Sequence, residues 1–183
     1  MATTDRRFTH VPAGGGPAYS IIGEVITFKV TGAETGDTFS VMALTSPPGG
    51  GPPLHTHAAA ETFTVVEGEL EFSGLDDGEP YAIRATPGDT VYIPGGAPHT
   101  YRNAGATPAR ALAVLAPGGA MERFFAEAGT PVSDRAAPAA PAGPPSEAEV
   151  ARHMAIAGRH GIVFLPPREA AAGAGGAAGV RHG

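Results

Sequence analysis

The sequence predicts an all-β fold, and three observations support this prediction. Short runs rich in aromatic and β-branched residues recur along the first two thirds of the chain. Gly, Pro and Asp residues separate these runs, as they do in turns. The runs follow one another at the close spacing that is typical of a sandwich or barrel. The predicted strands are 19–30, 38–46, 61–67, 70–73, 81–86, 90–93, 99–102 and 109–115.

Length and composition indicate a single small barrel with appendages. A chain of 183 residues can bury one good core but is short for two domains, and it contains no convincing internal repeat. We place the β-barrel at 1–117. Residues 118–167 are expected to form a helical extension that packs on or caps the barrel, and the Ala/Gly-rich residues 168–183 are expected to form a flexible tail.

Helix signals appear only after the barrel. Residues 120–128 have helical propensity and end at Gly129. Ser146 and Glu149 form a capping-box pattern that opens a second helix through about Arg159. The apolar residues 162–165 are expected to dock back onto the barrel, the Ala/Pro-rich spacer 136–145 to be semi-extended, and residues 74–80 to form a hairpin loop.

Charge and cysteine content exclude several classes of protein. The formal net charge is −6, and Lys29 is the single lysine, so we predict neither a nucleic-acid nor a membrane partner. The absence of cysteine excludes disulfides, iron–sulfur clusters and thiol nucleophiles. No apolar stretch follows the N-terminal residues, which predicts no signal peptide and, by default, a cytoplasmic location.

Two separate segments supply the side chains of a predicted metal site. His55 and His57 lie two residues apart, so an extended strand presents both on one face. Glu61 follows after three alanines, and residues 88–103 form a strand, a Pro/Gly turn and a strand that deliver His99. Three imidazoles and one carboxylate suit several divalent transition metals. We predict one such ion per chain, drawn from Fe, Ni, Mn, Co, Cu and Zn.

The same two segments resemble the two signature motifs of the cupin superfamily, without a gap. The first motif is matched by Gly49, His55, His57, Glu61 and Gly68, and the second by Gly88, Pro94, Gly96, His99 and Asn103. The resemblance implies a double-stranded β-helix, or jelly-roll, barrel with one copy of each motif. It also implies that the three histidines and Glu61 are the metal ligands, and that the glycines, Pro94 and Asn103 shape turns.

A narrower resemblance concerns residues 118–131, which are similar to the segment after the barrel in single-domain, quercetinase-like cupins of the cupin_2 type. It implies a metal-dependent oxidoreductase, a dioxygenase acting on a small enolic or aromatic, flavonol-like substrate. Metal ligation would lower the pKa of a substrate enol or hydroxyl, and Glu61 would act as the general base. Strand alternation offers Phe63, Val65, Val91, Ile93 and Tyr101 as substrate-pocket residues, with plain barrel core as the equal alternative.

Other functions remain open at this point. The same metal could polarise a carbonyl in an isomerase or cyclase that consumes no dioxygen, or the chain could be a non-enzymatic cupin that binds a small molecule. A transcription factor and a storage protein are disfavoured, because residues 1–18 leave no room for a helix-turn-helix and only one barrel is expected. We further predict a homodimer that pairs through residues 19–30 as an edge strand.

Overall fold

The computed structural model describes residues 8–135 and 146–166. Within these ranges the strands are β1 (Ala18–Ile21), β2 (Glu24–Val30), β3 (Ser40–Ser46), β4 (His55–Thr56), β5 (Ala60–Glu67), β6 (Leu70–Asp76), β7 (Glu79–Ala85), β8 (Thr90–Ile93), β9 (His99–Asn103), β10 (Ala109–Ala116), β11 (Thr130–Pro131) and β12 (Val163–Phe164). The helices are α1 (Gly32–Thr35), α2 (Ala120–Ala128) and α3 (Glu147–Arg159).

Two antiparallel sheets face each other across one core. The larger sheet has seven strands in the order β11-β1-β2-β3-β10-β5-β8, and the smaller has five in the order β12-β4-β9-β6-β7. Buried and more exposed residues alternate along β3 and β10, as expected for strands with one face on the core. Leu70 and Val65 are among the most deeply buried side chains. The predicted all-β jelly roll with a C-terminal helical segment is confirmed.

The predicted strand 19–30 is wrong as a single element. It is a hairpin of β1 and β2, because Ile22 and Gly23 take positive φ values of 51° and 80° and reverse the chain. Both strands lie inside the larger sheet, where β11 covers the outer side of β1. The free edge that was expected to pair two copies is therefore occupied within this chain, and the homodimer stays a prediction.

The loop expected at 74–80 is also much shorter than predicted. β6 continues to Asp76 and β7 begins at Glu79, so only Asp77 and Gly78 form the turn. Both have positive φ, 49° and 87°, which suits an Asp-Gly hairpin turn. The acidic and Gly-rich composition indicated a loop, but the ends of β6 and β7 pair with each other within this segment.

Capping explains the helices. α2 and α3 have the predicted bounds, and Ser146 accepts a hydrogen bond from the N–H of Glu149 while the Glu149 carboxylate accepts from the N–H of Ser146. The short α1 was not predicted, although its Thr31 and Glu34 form the same reciprocal pattern. None of the described helices is long and apolar enough to span a membrane.

The C-terminal elements lie against the barrel. Glu127 of α2 contacts Arg159 at the end of α3 and accepts a hydrogen bond of 2.8 Å from the ring of His160. β12 pairs with β4, and the N–H of Leu165 donates to the carbonyl of Leu54 at 2.8 Å. The predicted spacer 136–145 and the predicted tail 168–183 lie outside the described residues.

A buried carboxylate joins the start of α2 to α1. Glu122 accepts hydrogen bonds from the N–H of Gly32, at 2.9 and 3.0 Å, and from the N–H of Gly119, at 2.6 Å. Hydrogen bonds to a charged group contribute more than neutral ones, and the N–H groups at a helix start have no partners within the helix. Glu122 therefore fixes where α2 begins, and with it the position of the aromatic residues that α2 carries.

We predict that Glu122→Ala lowers the free energy of unfolding by roughly 2 to 4 kcal/mol, because it leaves buried N–H groups unpaired. Urea unfolding would measure this loss. The control is Glu79→Ala on the exposed β7, which should change stability by less than about 0.5 kcal/mol. Equal, small effects in both variants would contradict the structural role of Glu122.

Candidate metal centre

The four predicted ligands come from both sheets. His55 lies in β4 directly opposite His99 in β9, and His57 follows the end of β4. Glu61 comes from β5 in the other sheet, where it pairs with Leu115 and Ile93. The site is therefore assembled only when the two sheets face each other.

The three histidines converge. One ring nitrogen from each of His55, His57 and His99 lies within 4.8 Å of the other two, and this group can hold a metal ion. The ring centroids of His55 and His99 are 4.3 Å apart, and those of His57 and His99 are 5.0 Å apart. Glu61 adjoins two of them, with Oε1 3.1 Å from His57 Nε2 and Oε2 3.5 Å from His99 Nε2. All four side chains are buried.

Hydrogen bonds to backbone carbonyls orient two of the rings. His55 Nδ1 lies 2.9 Å from the carbonyl oxygen of Pro53, and His99 Nδ1 lies 2.8 Å from that of Ala97. A proton on each Nδ1 satisfies these contacts and leaves the Nε2 lone pair of a neutral ring free to bind an ion. This is the arrangement that metal-binding histidines usually have.

The pKa shifts favour an ionised Glu61 carboxylate and a neutral His55 ring. Burial, together with the nearby His99, lowers the pKa of His55 to about 4. Burial would raise the pKa of Glu61, but its contacts with His57 and His99 outweigh this and lower it to about 2. Burial likewise works against protonation of His99, whereas its contact with Glu61 raises its pKa overall. Glu61 is therefore an anion at neutral pH.

The other motif residues hold the two segments together. Asn103 is buried, and its side-chain amide donates to the carbonyls of Ser46 and Thr107, both at 2.9 Å. Its backbone exchanges hydrogen bonds with Gly49 and Gly50 at the start of the first motif. Gly96 turns the chain before His99 with φ 81°, and its N–H donates to the carbonyl of His57 at 2.7 Å. These contacts fix the register of one motif against the other.

A cavity of about 70 Å³ opens onto the histidine group. His55, Glu61 and Tyr101 contribute to its lining, together with Phe124 and Phe125 of α2. Phe164 of β12 also lines it, and its ring centroid lies 6.1 Å from that of His55. Most of the surface is apolar, so a bound molecule would meet few polar groups besides the predicted ligands.

The predicted pocket residues divide into two sets. Phe63 and Tyr101 line this cavity. Val65, Val91 and Ile93 are buried in the core but do not line it. Val91 and Ile93 instead border a smaller cavity of about 30 Å³, which His99 also lines. Strand alternation identifies the buried face but does not say which end of that face borders a space.

Sequence reasoning missed two kinds of lining residue. Glu24 in β2 lines the cavity, whereas the sequence placed it inside the predicted strand 19–30 and assigned it no role. Ile162 and Phe164 reach it from a segment that lies 59 to 61 residues after Asn103, the last residue of the second motif. The isolated carboxylate within the apolar run 18–30 was the one available signal for Glu24.

Comparison with known sequences identifies the same segment that carries the motifs. Residues 42–115 match the family model described as a cupin domain. The quercetin 2,3-dioxygenase of Bacillus subtilis (strain 168) is 37% identical over 91 residues, which are 49% of this chain and 26% of that protein. The dimethylsulfoniopropionate lyase DddQ of Ruegeria pomeroyi is 36% identical over 84 residues, 46% of this chain and 37% of that protein. The match spans less than two fifths of either relative.

Solved structures show the same fold. The polyketide cyclase RemF from Streptomyces resistomycificus superposes with a TM-score of 0.52, over 60% of this chain and 80% of that one, at 21% identity. At this level of identity the likeness concerns the fold alone. The two facing sheets, the two ungapped motifs and the matched family model agree, and residues 42–115 form a cupin domain of the cupin_2 type.

Proposed function

We propose that this cupin is a metal-dependent dioxygenase that acts on a small enolic molecule. The observation that carries the proposal is the convergence of three buried histidines beside an ionised Glu61 at the wall of an apolar cavity. Similarity to a quercetin 2,3-dioxygenase over about half of the chain supports the oxygen chemistry. It does not extend to the substrate, because most of that relative lies outside the match.

The residues present fit a divalent transition metal. Nε2 of His57 and Nε2 of His99 are buried and form no hydrogen bond within the described residues, because their approach to Glu61 lacks hydrogen-bond geometry. Buried nitrogen lone pairs without partners are costly in a folded protein unless a ligand satisfies them. His55, His57, His99 and Glu61 would hold the ion, and the ion would displace any proton that the histidines carry.

Each residue then has a chemical task. A bound metal ion supplies Lewis acidity and an open coordination position for a substrate oxygen. Glu61 is an anion beside this position and can take the proton of a substrate enol or hydroxyl as general base. The aromatic walls of Phe63 and Phe124 exclude water from the reacting group, which strengthens the electrostatic interactions within the cavity.

The cavity volume favours a small enolic substrate over a flavonol. A volume of about 70 Å³ is well below the roughly 300 to 1,000 Å³ of pockets for drug-sized ligands. A small enolic diketone therefore needs only a modest displacement of the walls. A flavonol would require α2 and β12 to move away from the barrel.

We predict that the purified protein holds about one transition metal ion per chain, and that His57→Ala and a His55→Ala/His57→Ala double variant lose it. Metal content measured by plasma mass spectrometry after dialysis tests this. His10→Ala removes an exposed histidine and should retain the metal. A His57→Ala variant with full metal content would refute the assignment.

The metal found also separates the two enzymatic functions. Iron, nickel, cobalt, manganese or copper would support oxygen chemistry, because these metals can interact with dioxygen. Zinc alone would favour a metal-assisted isomerase or cyclase, since zinc polarises a carbonyl without redox change. No metal after reconstitution would favour a cupin that only binds a small molecule.

We predict that the metal-loaded chain consumes dioxygen in the presence of a small enolic diketone such as 2,4-pentanedione, as recorded with an oxygen electrode. Glu61→Gln, checked for equal metal loading, should lower the rate by about 100-fold or more, because the general base is lost. Conversion of the diketone without oxygen uptake would exclude a dioxygenase and favour the isomerase.

A further inference from the structure

Glu24 is a second carboxyl group in the cavity, outside the predicted ligand set. It lies at the start of β2, is only 4% exposed, and lines the same cavity as His55 and Glu61. The hydroxyl of Tyr101 donates to Glu24 Oε2 at 2.8 Å. Glu24 Oε1 is buried and forms no hydrogen bond of normal geometry within the described residues. Tyr101 thus fixes one carboxyl oxygen, while the other has only the hydroxyl of Ser46 nearby.

A purely structural role does not account for this arrangement. Glu122 is buried to a similar degree, and its carboxylate is satisfied by the N–H groups of Gly32 and Gly119. Such a carboxylate stabilises the fold by pairing groups that would otherwise be orphaned. Glu24 satisfies no backbone N–H: Tyr101 donates to one of its oxygens, and the other, which only the hydroxyl of Ser46 approaches, forms no hydrogen bond of normal geometry within the described residues. Retained unsatisfied polar groups of this kind mark sites that a ligand completes.

The surroundings of Glu24 favour a change of protonation near neutral pH. Burial raises its pKa from 4.5 to about 7, against the hydroxyls of Ser46 and Tyr101, which lower it. The other titratable groups that face the cavity are Tyr101 on β9, Glu61 on β5 and His55 on β4. The lining from β1, β3, α2 and β12 is uncharged, and no lysine or arginine of the described residues contributes to it. Nothing in the cavity therefore compensates a negative charge on Glu24 in the absence of a ligand or ion.

We propose that Glu24 contacts the substrate and exchanges a proton with it, while Tyr101 positions the Glu24 carboxyl group. This inference rests on the proposed function and narrows its substrate class to small molecules with two oxygen functions, such as a 1,3-diketone or an α-hydroxy ketone. One oxygen of the substrate faces the histidine group, and its second oxygen forms a hydrogen bond with Glu24 Oε1. The O–H bond of protonated Glu24 Oε1 breaks as its proton passes to the second oxygen of the substrate, whose enol proton Glu61 takes, and the same proton returns to Glu24 from the product.

Ligand binding tests this without relying on turnover. The full chain is loaded with cobalt(II), and 2,4-pentanedione binding is followed by the optical spectrum of the metal from about pH 5 to about pH 9. Wild type should show an inflection in affinity near pH 7. Glu24→Gln, at equal metal loading, should bind about 10-fold more weakly and lose the inflection. The matched control Glu79→Gln, on the exposed β7, should resemble wild type.

A second variant guards against a folding defect in the first. Tyr101→Phe keeps the carboxyl group and removes the hydrogen bond that favours its ionised form, so the inflection should move to higher pH. Wild-type affinity and an unchanged pH profile in both variants would overturn the role of Glu24. If metal-loaded wild type does not bind the diketone at all, the proposed substrate class is wrong and this inference falls with it.

The pH dependence of stability provides a readout that needs no substrate. The pKa of Glu24 is higher in the folded chain, about 7, than its ordinary value of 4.5. The unfolded chain therefore releases this proton first as the pH rises, and wild type should lose stability between these two values and no further above them. The melting temperature of metal-loaded Glu24→Gln should rise relative to wild type from about pH 5 to about pH 8. A constant difference would overturn the proton exchange.

Discussion

The meeting of the two sheets at the histidine group is the constraint on which the rest of the site depends. β4 and β9 place His55 opposite His99 in the smaller sheet, and Glu61 reaches them from the larger sheet. The smaller sheet and the residue after β4 supply all three imidazoles, but the four-residue group forms only where the sheets meet, because the carboxylate comes from the other layer. The barrel closure that excludes water from the core thus also brings the ligand atoms together, and Asn103 fixes the register by bonding to the carbonyl of Ser46 in the larger sheet.

The site also illustrates how burial sets chemical roles. Glu61 and Glu24 line the same apolar cavity, yet their pKa values move in opposite directions. Burial acts on both, but Glu61 contacts two histidines whereas Glu24 contacts only hydroxyl groups. Glu61 is therefore an anion at neutral pH, whereas Glu24, with a pKa of about 7, gains or loses its proton near neutral pH. Two carboxyl groups in one cavity with separated pKa values are a common basis for distinct acid and base functions.

The segment after the barrel contributes more to the cavity than a simple cap. α2 provides Phe124 and Phe125, and β12 provides Phe164 beside His55. α3 is held to α2 through Glu127, and β12 is held to the barrel by two residue pairs, the ring contact of Phe164 with His55 and the hydrogen bond of Leu165 to Leu54. The wall nearest to the histidine group is therefore made by the elements with the fewest strand contacts, and the volume available to a substrate depends on how firmly they dock.

The sequence by itself determined the fold class, the two motifs, the bounds of α2 and α3, and the residues that form the histidine group with Glu61. These follow from local rules, because strand alternation, capping residues and turn glycines act over a few neighbouring positions. Only the tertiary structure decided that residues 18–30 form a hairpin within the sheet, that Val65 and Val91 lie away from the cavity, and that Glu24 and Phe164 line it. These features depend on contacts between distant segments, and no local pattern specifies which end of a buried face borders an open space.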